Sequence, residues 1–478
     1  MSAKRSRRIN VELLNRLRDV LGGRRVSHAQ TDAINYGRDM WPRSLLEIRR
    51  GRVPHRPDFI VWPETTDHVS RVLRLCNEMC VPVVPFGAGS GMCGAATPVS
   101  GGVILDMKKM NRVEKISEQS NIAVVQPGIL GALLERELNA KGYTLGHFPG
   151  SLGTSTLGGY LATRSAGMAA TYYGGIERIL ISLQVVLPDG TVVQTRTTPR
   201  RATGPDFNHL FLGSEGTLGV ITHTHLRIHA LPDMYGYRGL AFKKFEDGLK
   251  AVRLILRAGL RPAYVRLSDS ADTAGPLSEA GLSISGCLLS LVFAGRESLV
   301  DLALRKATEI ARSARGRDHG EEPARIWYEN RFSEFYEQSP WFGQPDTVFD
   351  VLEIAAPWKH VPQAYQMVKA AVPKRVTAAG YVSHAYPEGC SLQFMLRGKA
   401  TPGKDVELYD QMWKKIMPAV QKSGAVISHQ HGIGLHKADW WQEQAGPGHA
   451  LLAGIKRRLD PNNILNPGKF ATDTEAPC

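Results

Sequence analysis

The chain has 478 residues, 43% hydrophobic and 22% charged, which excludes a disordered polymer and is enough for two domains. No apolar run approaches the ~20 residues that cross a bilayer, and the opening "MSAKRSRRIN" has charge without the apolar core of a secretory signal. The net charge of +14 is uneven: residues 1–56 hold Lys4 and thirteen arginines against five acids.

A basic arm over residues 1–54 can lie on anionic lipid, which gives peripheral membrane contact as one expectation. The simpler one is a helix docked on its own domain, since "INVELLNRLRDVL" spaces Ile9, Leu13, Leu17 and Val20 along one stripe. Nucleic-acid binding is not expected, because interleaved aromatics and a groove-reading motif are lacking. Six scattered cysteines include Cys76 and Cys80, which fall on one helix face with no second pair to complete a zinc site. A reduced, cytoplasmic protein follows from that usage.

Over residues 55–232 short strands alternate with helices. "FIVWP" reads as a strand, "TTDHVSRVLRLCNEM" as an amphipathic helix, and "VPVVPFG", "GGVILDM" and "IAVVQPG" as strands. "LGALLERELNAKG" is a helix with a glycine stop, and "LQVVLPDGTVVQT" a hairpin turning at Asp-Gly. The opening GxGxxG of a dinucleotide fold does not occur in this α+β pattern. Residues 233–420 change texture, with helices such as "KKFEDGLKAVRLILRAGL" and strands such as "GCLLSLVFAG" forming a second α+β domain. Residues 421–478 end in the turn-rich "DPNNILNPGKF", which is expected to return to the first domain.

Three glycine-rich stretches bear on chemistry. "PFGAGSGMCGAA" brings Pro85, Gly87, Ala88, Gly89, Ser90 and Gly91 out of a strand, and such a loop lets backbone N–H groups converge on a phosphate. "PGSLGTSTLGGYLATRSAG" runs from Pro149 and Gly150 to Gly167. Its small residues include Ser155, Thr156, Gly158, Gly159, Ala162, Thr163 and Ser165, a backbone surface for a flat, polar-edged ligand. "FLGSEGTLGVIT" adds Glu215, Gly219 and Ile221. One such stretch is ordinary turn chemistry; three in this order are a signal.

In these three stretches, and in "DPNNILNPGK", the chain resembles the FAD-linked oxidases with a PCMH-type FAD domain, the vanillyl-alcohol-oxidase superfamily, from about His55 to Phe470. The resemblance implies a two-subdomain FAD-binding domain, an α+β substrate (cap) domain and a C-terminal segment back at the flavin. It places the pyrophosphate in the Pro85–Gly94 loop, the flavin along Thr156–Gly167 and the adenine half beside Ile221. Since that loop has no histidine, FAD is expected to be non-covalent.

Two branches of the family compete. Metal-assisted 2-hydroxy-acid dehydrogenases have "GHxGDGNxH" and "GEHGIG" segments, whereas this chain has "SHAYPEGCSLQF" and "SHQHGIG". His384 remains, but Gln393 replaces the second histidine, and His429 or Gln430 the glutamate, so no metal is expected. A three-nitrogen set of His384, His429 and His431 is the alternative. The chain is also similar to alkyldihydroxyacetonephosphate synthase in "PRRATGPDFNHLFLGSEGTLGVIT", "EIAAPW" and "SHAY". That match maps a three-histidine run onto "HQH", a catalytic tyrosine onto Tyr386 and an arginine onto Arg200.

Both branches break a C–H bond next to a hydroxyl or carbonyl, which needs a base within ~3 Å and a pKa near working pH. His431 and Tyr386 are the candidates, with His429 as partner, and His384 completes the candidate catalytic set. Arg200 and Arg331 are candidates for a small anionic substrate, carboxylate or phosphate. Net oxidation, which needs an electron acceptor the sequence does not specify, is preferred to alkyl-for-acyl exchange; a non-catalytic flavin-binding or structural protein is the third reading, and a homodimer is one expectation for the assembly.

Overall fold

Local chemistry sets the first elements. In the computed structural model, which describes residues 3–279, 282–333 and 344–470, Thr65 caps the helix Thr66–Glu78 by accepting from the His68 amide at 3.1 Å. Val69, Val72, Leu73 and Cys76 form its buried stripe. Cys80 lies beyond that helix in the left-handed region (φ 54°), so the expected two-cysteine face reduces to Cys76. Cys76, Cys93, Cys287 and Cys390 are free and buried.

The helix packs on a four-stranded sheet in the order Val26–Ser27, Phe59–Val61, Val103–Asp106, Val83–Phe86, parallel apart from its first pair. The basic arm belongs to this unit. Its helix, Ala3–Leu21, buries Leu13, Leu17 and Leu21 in the core that holds Val72, Val83 and Leu105, while Val20 is half-buried. The Ile9 side chain lies outside the described residues. The described part of the C-terminal segment also returns here: Leu465 bridges Val83 in parallel, and the Asn466 amide donates to the Val83 carbonyl at 2.8 Å.

A second, antiparallel sheet runs Val113–Ser117, Ile122–Val125, Val220–Arg227, Leu180–Val186, Val192–Gln194, with the expected Asp189-Gly190 hairpin at its edge. The second domain is an antiparallel sheet of seven strands: Arg317–Asp318, Met234–Phe242, Cys287–Gly295, Tyr264–Ser268, Val376–Ala385, Gly389–Lys399, Thr347–Pro357. Two-residue periodicity divides its faces. Leu267, Leu352, Ile354, Val382, Leu392 and Phe394 pack under the helices Phe245–Arg257, Val361–Ala371 and Asp405–Lys422. The intervening Arg266, Phe349, Tyr381, Ser383 and Gln393 line a cavity shared with the first domain. The helix Asp405–Lys422 runs through residue 420, and Val426 beyond it bridges Ala355, so the C-terminal segment starts out still packed on the second domain's sheet. Among the described residues, no helix is long and apolar enough to cross a membrane.

Replacing the fully buried Leu17 by alanine should cost about 2–5 kcal/mol in denaturant unfolding, the range for a buried leucine. An arm that merely trailed in solvent would show no loss.

Candidate functional site

A cavity of about 1000 Å³ separates the domains, and the three glycine-rich stretches converge on it. Every cofactor-contact candidate lies on its wall except Gly167, whose carbonyl oxygen instead accepts from His384 Nε2 at 3.0 Å. The wall is largely backbone for steric reasons. A Cβ on Gly87 would come 2.3 Å from Thr156 Oγ1, and Gly89, at φ +67°, would bring one 2.6 Å from the Phe86 ring. Lys108, which the sequence reading missed, donates to the Gly87 carbonyl and to Asp106, both at 2.8 Å. Ser165 meets a second missed residue, His147, whose Nε2 is 3.0 Å from the serine hydroxyl. Burial pushes His147 down to about 3, so it is neutral. Such a backbone cradle, with hydroxyls and a cation at its edge, suits a phosphate-bearing flavin nucleotide.

Of the catalytic candidates, His384 and His431 reach the cavity; His429 and Tyr386 stand behind it. His384 is buried and both its nitrogens are engaged. Nε2 faces the Gly167 carbonyl, and Nδ1 lies 2.7 Å from Ser383 Oγ and 3.2 Å from Ser391 Oγ. Burial holds it neutral, far below the usual range for histidine. His429 Nε2 lies 2.9 Å from the Tyr386 hydroxyl, and its ring packs 4.8 Å from that of His384. Burial lowers His429 and raises Tyr386. His431 is pushed down to about 4, by burial first, while Glu353 pulls the other way.

Glu353 organises this end. It is fully buried and lies on the strand Thr347–Pro357 between Leu352 and Ile354, so it points away from the helices. Its carboxylate accepts from the Ser428 hydroxyl at 2.7 Å and from the amides of His429, Gln430 (2.9 Å) and His431 (3.3 Å). Lys437, also buried, donates to it at 2.7 Å. Burial alone would raise this acid, but Lys437 with the other donors holds it at about 2. Glu215 takes the loop's second half, accepting from the Ile433 amide at 2.6 Å and the Gly434 amide at 2.9 Å. It has no ion-pair partner among the described residues, and burial raises it to about 7. The signal for Glu353 was available: charged side chains inside an apolar strand are rarely buried without partners.

Arg331 is on the cavity wall, stacked 3.7 Å over the Tyr328 ring, with no carboxylate partner among the described residues. Arg266, another missed residue, lines the cavity over Tyr381 but is paired with Asp272 at 2.9 Å. Arg200 sits exposed on a loop outside the cavity wall. Gln393 accepts from the Tyr381 hydroxyl at 2.6 Å. No cluster of three potential metal ligands occurs among the described residues.

Residues 57–196 match the family model for an FAD binding domain, and residues 235–470 that for the C-terminal domain of FAD linked oxidases. An alkyldihydroxyacetonephosphate synthase of Dictyostelium discoideum is 30% identical over 463 residues, covering 90% of this chain and 75% of that protein. The chain belongs to the FAD-linked oxidases. FAD is its cofactor, and the glycine-built cradle above is where these residues fit it. This FAD-linked oxidase is also 28% identical to an uncharacterized FAD-linked oxidoreductase of Escherichia coli strain K12, over 95% of the chain and 97% of the relative. Its fold matches a solved alkyldihydroxyacetonephosphate synthase with a TM-score of 0.80 at 26% identity, over 96% of this chain and 85% of that one. A p-cresol methylhydroxylase with substrate bound gives the same TM-score at 20% identity, over 97% of both chains, a likeness of fold alone.

In this member of the family, Gly87→Ala should strip FAD from the purified protein, seen as lost flavin absorbance, and lower stability by about 1–3 kcal/mol, the usual cost of overpacking. Glu215 supplies a pH signature. Its carboxyl is raised in the folded state, so its contribution is full below about 4.5 and lost as pH rises through about 7. Glu215→Gln should therefore gain stability relative to the parent between those values, measured as the difference between paired urea titrations.

Proposed function

We propose that this chain is a metal-independent, FAD-dependent oxidoreductase acting on the hydroxyl-bearing carbon of a small anionic substrate of the 2-hydroxy-acid type. The observation that most supports this reading is one cavity wall holding both a neutral, half-buried imidazole, His431, and a guanidinium without a carboxylate partner among the described residues, Arg331. Bound FAD supplies the hydride acceptor. His431 takes the proton of the substrate hydroxyl, so a 2-hydroxy acid leaves as a 2-keto acid. Arg331 receives the carboxylate on its planar fork. The Tyr386–His429 pair orients the loop from behind. A divalent metal does not fit the donors here: His384 has both nitrogens engaged, Gln393 accepts from Tyr381, and Glu353 is taken by amides and Lys437. FAD is held without a covalent tether, the phosphate loop having no histidine.

A second reading, alkyl-for-acyl exchange as in alkyldihydroxyacetonephosphate synthase, is favoured by the named relatives and by the 2.9 Å contact of Tyr386 with His429. Two features count against it: Arg200 is outside the cavity, and Gln430 stands in the wall where the synthase run has a histidine.

Anaerobic mixing of the holoenzyme with candidate substrates decides between them. Stoichiometric bleaching of the flavin by a 2-hydroxy acid is the expected result; exchange without net bleaching would instead establish the second reading. His431→Gln should keep FAD and slow bleaching by about 10²–10⁴, the usual weight of a general base. Because His431 is pushed down to about 4, the rate should be flat from neutral pH downward and fall only as the solution approaches that value.

A further inference from the structure

We propose that Glu353 is a positioning residue of this reaction, fixing His431 through the loop backbone and providing the negative charge against which a proton on His431 is held. The inference rests on the proton-holding role of His431 given above.

Three features of Glu353 support it. The carboxylate accepts from three consecutive amides, His429 to His431, so it fixes the stretch of backbone that bears the imidazole. Glu353 Oε1 also lies 3.9 Å from His431 Nδ1, close enough that a charge on one is felt by the other in a water-poor site. Thirdly, Lys437 keeps Glu353 ionised.

The groups facing His431 are few. Glu353 comes from the strand Thr347–Pro357, Lys437 precedes the helix Ala438–Ala445, His429 and His436 flank the loop, and Glu215 sits behind Gly432. With His431 neutral, Lys437 and Glu353 balance. When His431 holds a proton the trio has one net positive charge, and the imidazolium sits beside the carboxylate. His384 is more deeply buried, and its nitrogens are taken by the Gly167 carbonyl and two serine hydroxyls.

The test is a titration of the ring-labelled histidines of the holoenzyme by NMR, with His431→Gln assigning the signal. In the parent protein, His431 should take up its proton at a higher pH than His384 or His436; titration at or below theirs would overturn the inference. Glu353→Gln leaves Lys437 buried and unpaired and can fail to fold, so the charge-balanced pair Glu353→Gln with Lys437→Met is made beside it. In that double variant, with FAD retained, the His431 titration should move down and flavin reduction should slow tenfold or more, while substrate affinity stays within twofold. An unmoved His431 titration in the folded double variant would reduce Glu353 to a structural group. If no 2-hydroxy acid bleaches the parent flavin, the oxidoreductase reading fails, while the titration still decides the role of Glu353.

Discussion

Two buried carboxylates, one from each domain, hold the loop from Ser428 to Gly434, and the arrangement of the site depends on them. Glu353 comes from the seven-stranded sheet and takes the amides of the first half; Glu215 comes from the turn before the strand Val220–Arg227 and takes those of the second. Burying a carboxylate is costly unless its oxygens are saturated by donors. Here the donors are mostly peptide N–H groups of a glycine-containing turn, so the cost is offset only when that turn adopts one shape. The glycines are required by the same fit. Gly432 and Gly434 have φ of +81° and +54°, and a Cβ on Gly434 would stand 2.1 Å from the Cys93 carbonyl. The loop is thereby wedged against the glycine-rich cradle as well as the sheet.

The two acids differ in ionisation although both are fully enclosed. Glu353 has Lys437 beside it and is held far below its ordinary range; Glu215 has amides but, among the described residues, no cation in contact, and is raised. One end of the loop is therefore fixed by an ion pair and the other by hydrogen bonds to an acid that titrates close to neutrality. A third acid follows the same logic on the opposite face of the strand. Asp350 accepts from the Tyr409 hydroxyl at 2.5 Å and from the Trp413 indole at 3.1 Å, and burial raises it to about 7. Three positions apart on one strand, Asp350 and Glu353 point to different sides of the sheet, one into the helix layer and one toward the loop from Ser428 to Gly434.

Much of this was legible from the residues. Glycine runs mark places where backbone must approach a ligand or another chain segment, and all but one of the positions read that way lie on the cavity wall. Period-two and period-3.6 patterns located the strands and helices because burial selects for them directly. Charged loop residues were harder to place. Arg200 and Arg331 looked equivalent in the sequence, yet one is exposed and the other lies on the wall, since a loop's course is set by distant packing that leaves no local pattern. Glu353 is one residue of "EIAAPW", an otherwise apolar run. Its role depends on a loop some 75 residues further on, a pairing that periodicity cannot reveal. His147 was missed for a related reason, its partner Ser165 being reached only when the chain turns back on itself.

The closing stretch of the described chain has a consequence for the order of folding. Lys456 donates to the carbonyls of Thr217 (3.0 Å) and Leu465 (2.7 Å), Asn466 to those of Ala95 (2.9 Å) and Glu215 (2.7 Å), and Lys469 to that of Thr97 (2.9 Å). Leu465 lies alongside Val83, at the edge of the sheet that begins the first domain. The nucleotide-binding half is thus completed by residues synthesised after the whole cap domain. On the ribosome, the half that appears first must wait for the last segment before its edge is covered. The flavin cradle is a late product of this chain, although most of its residues are made early.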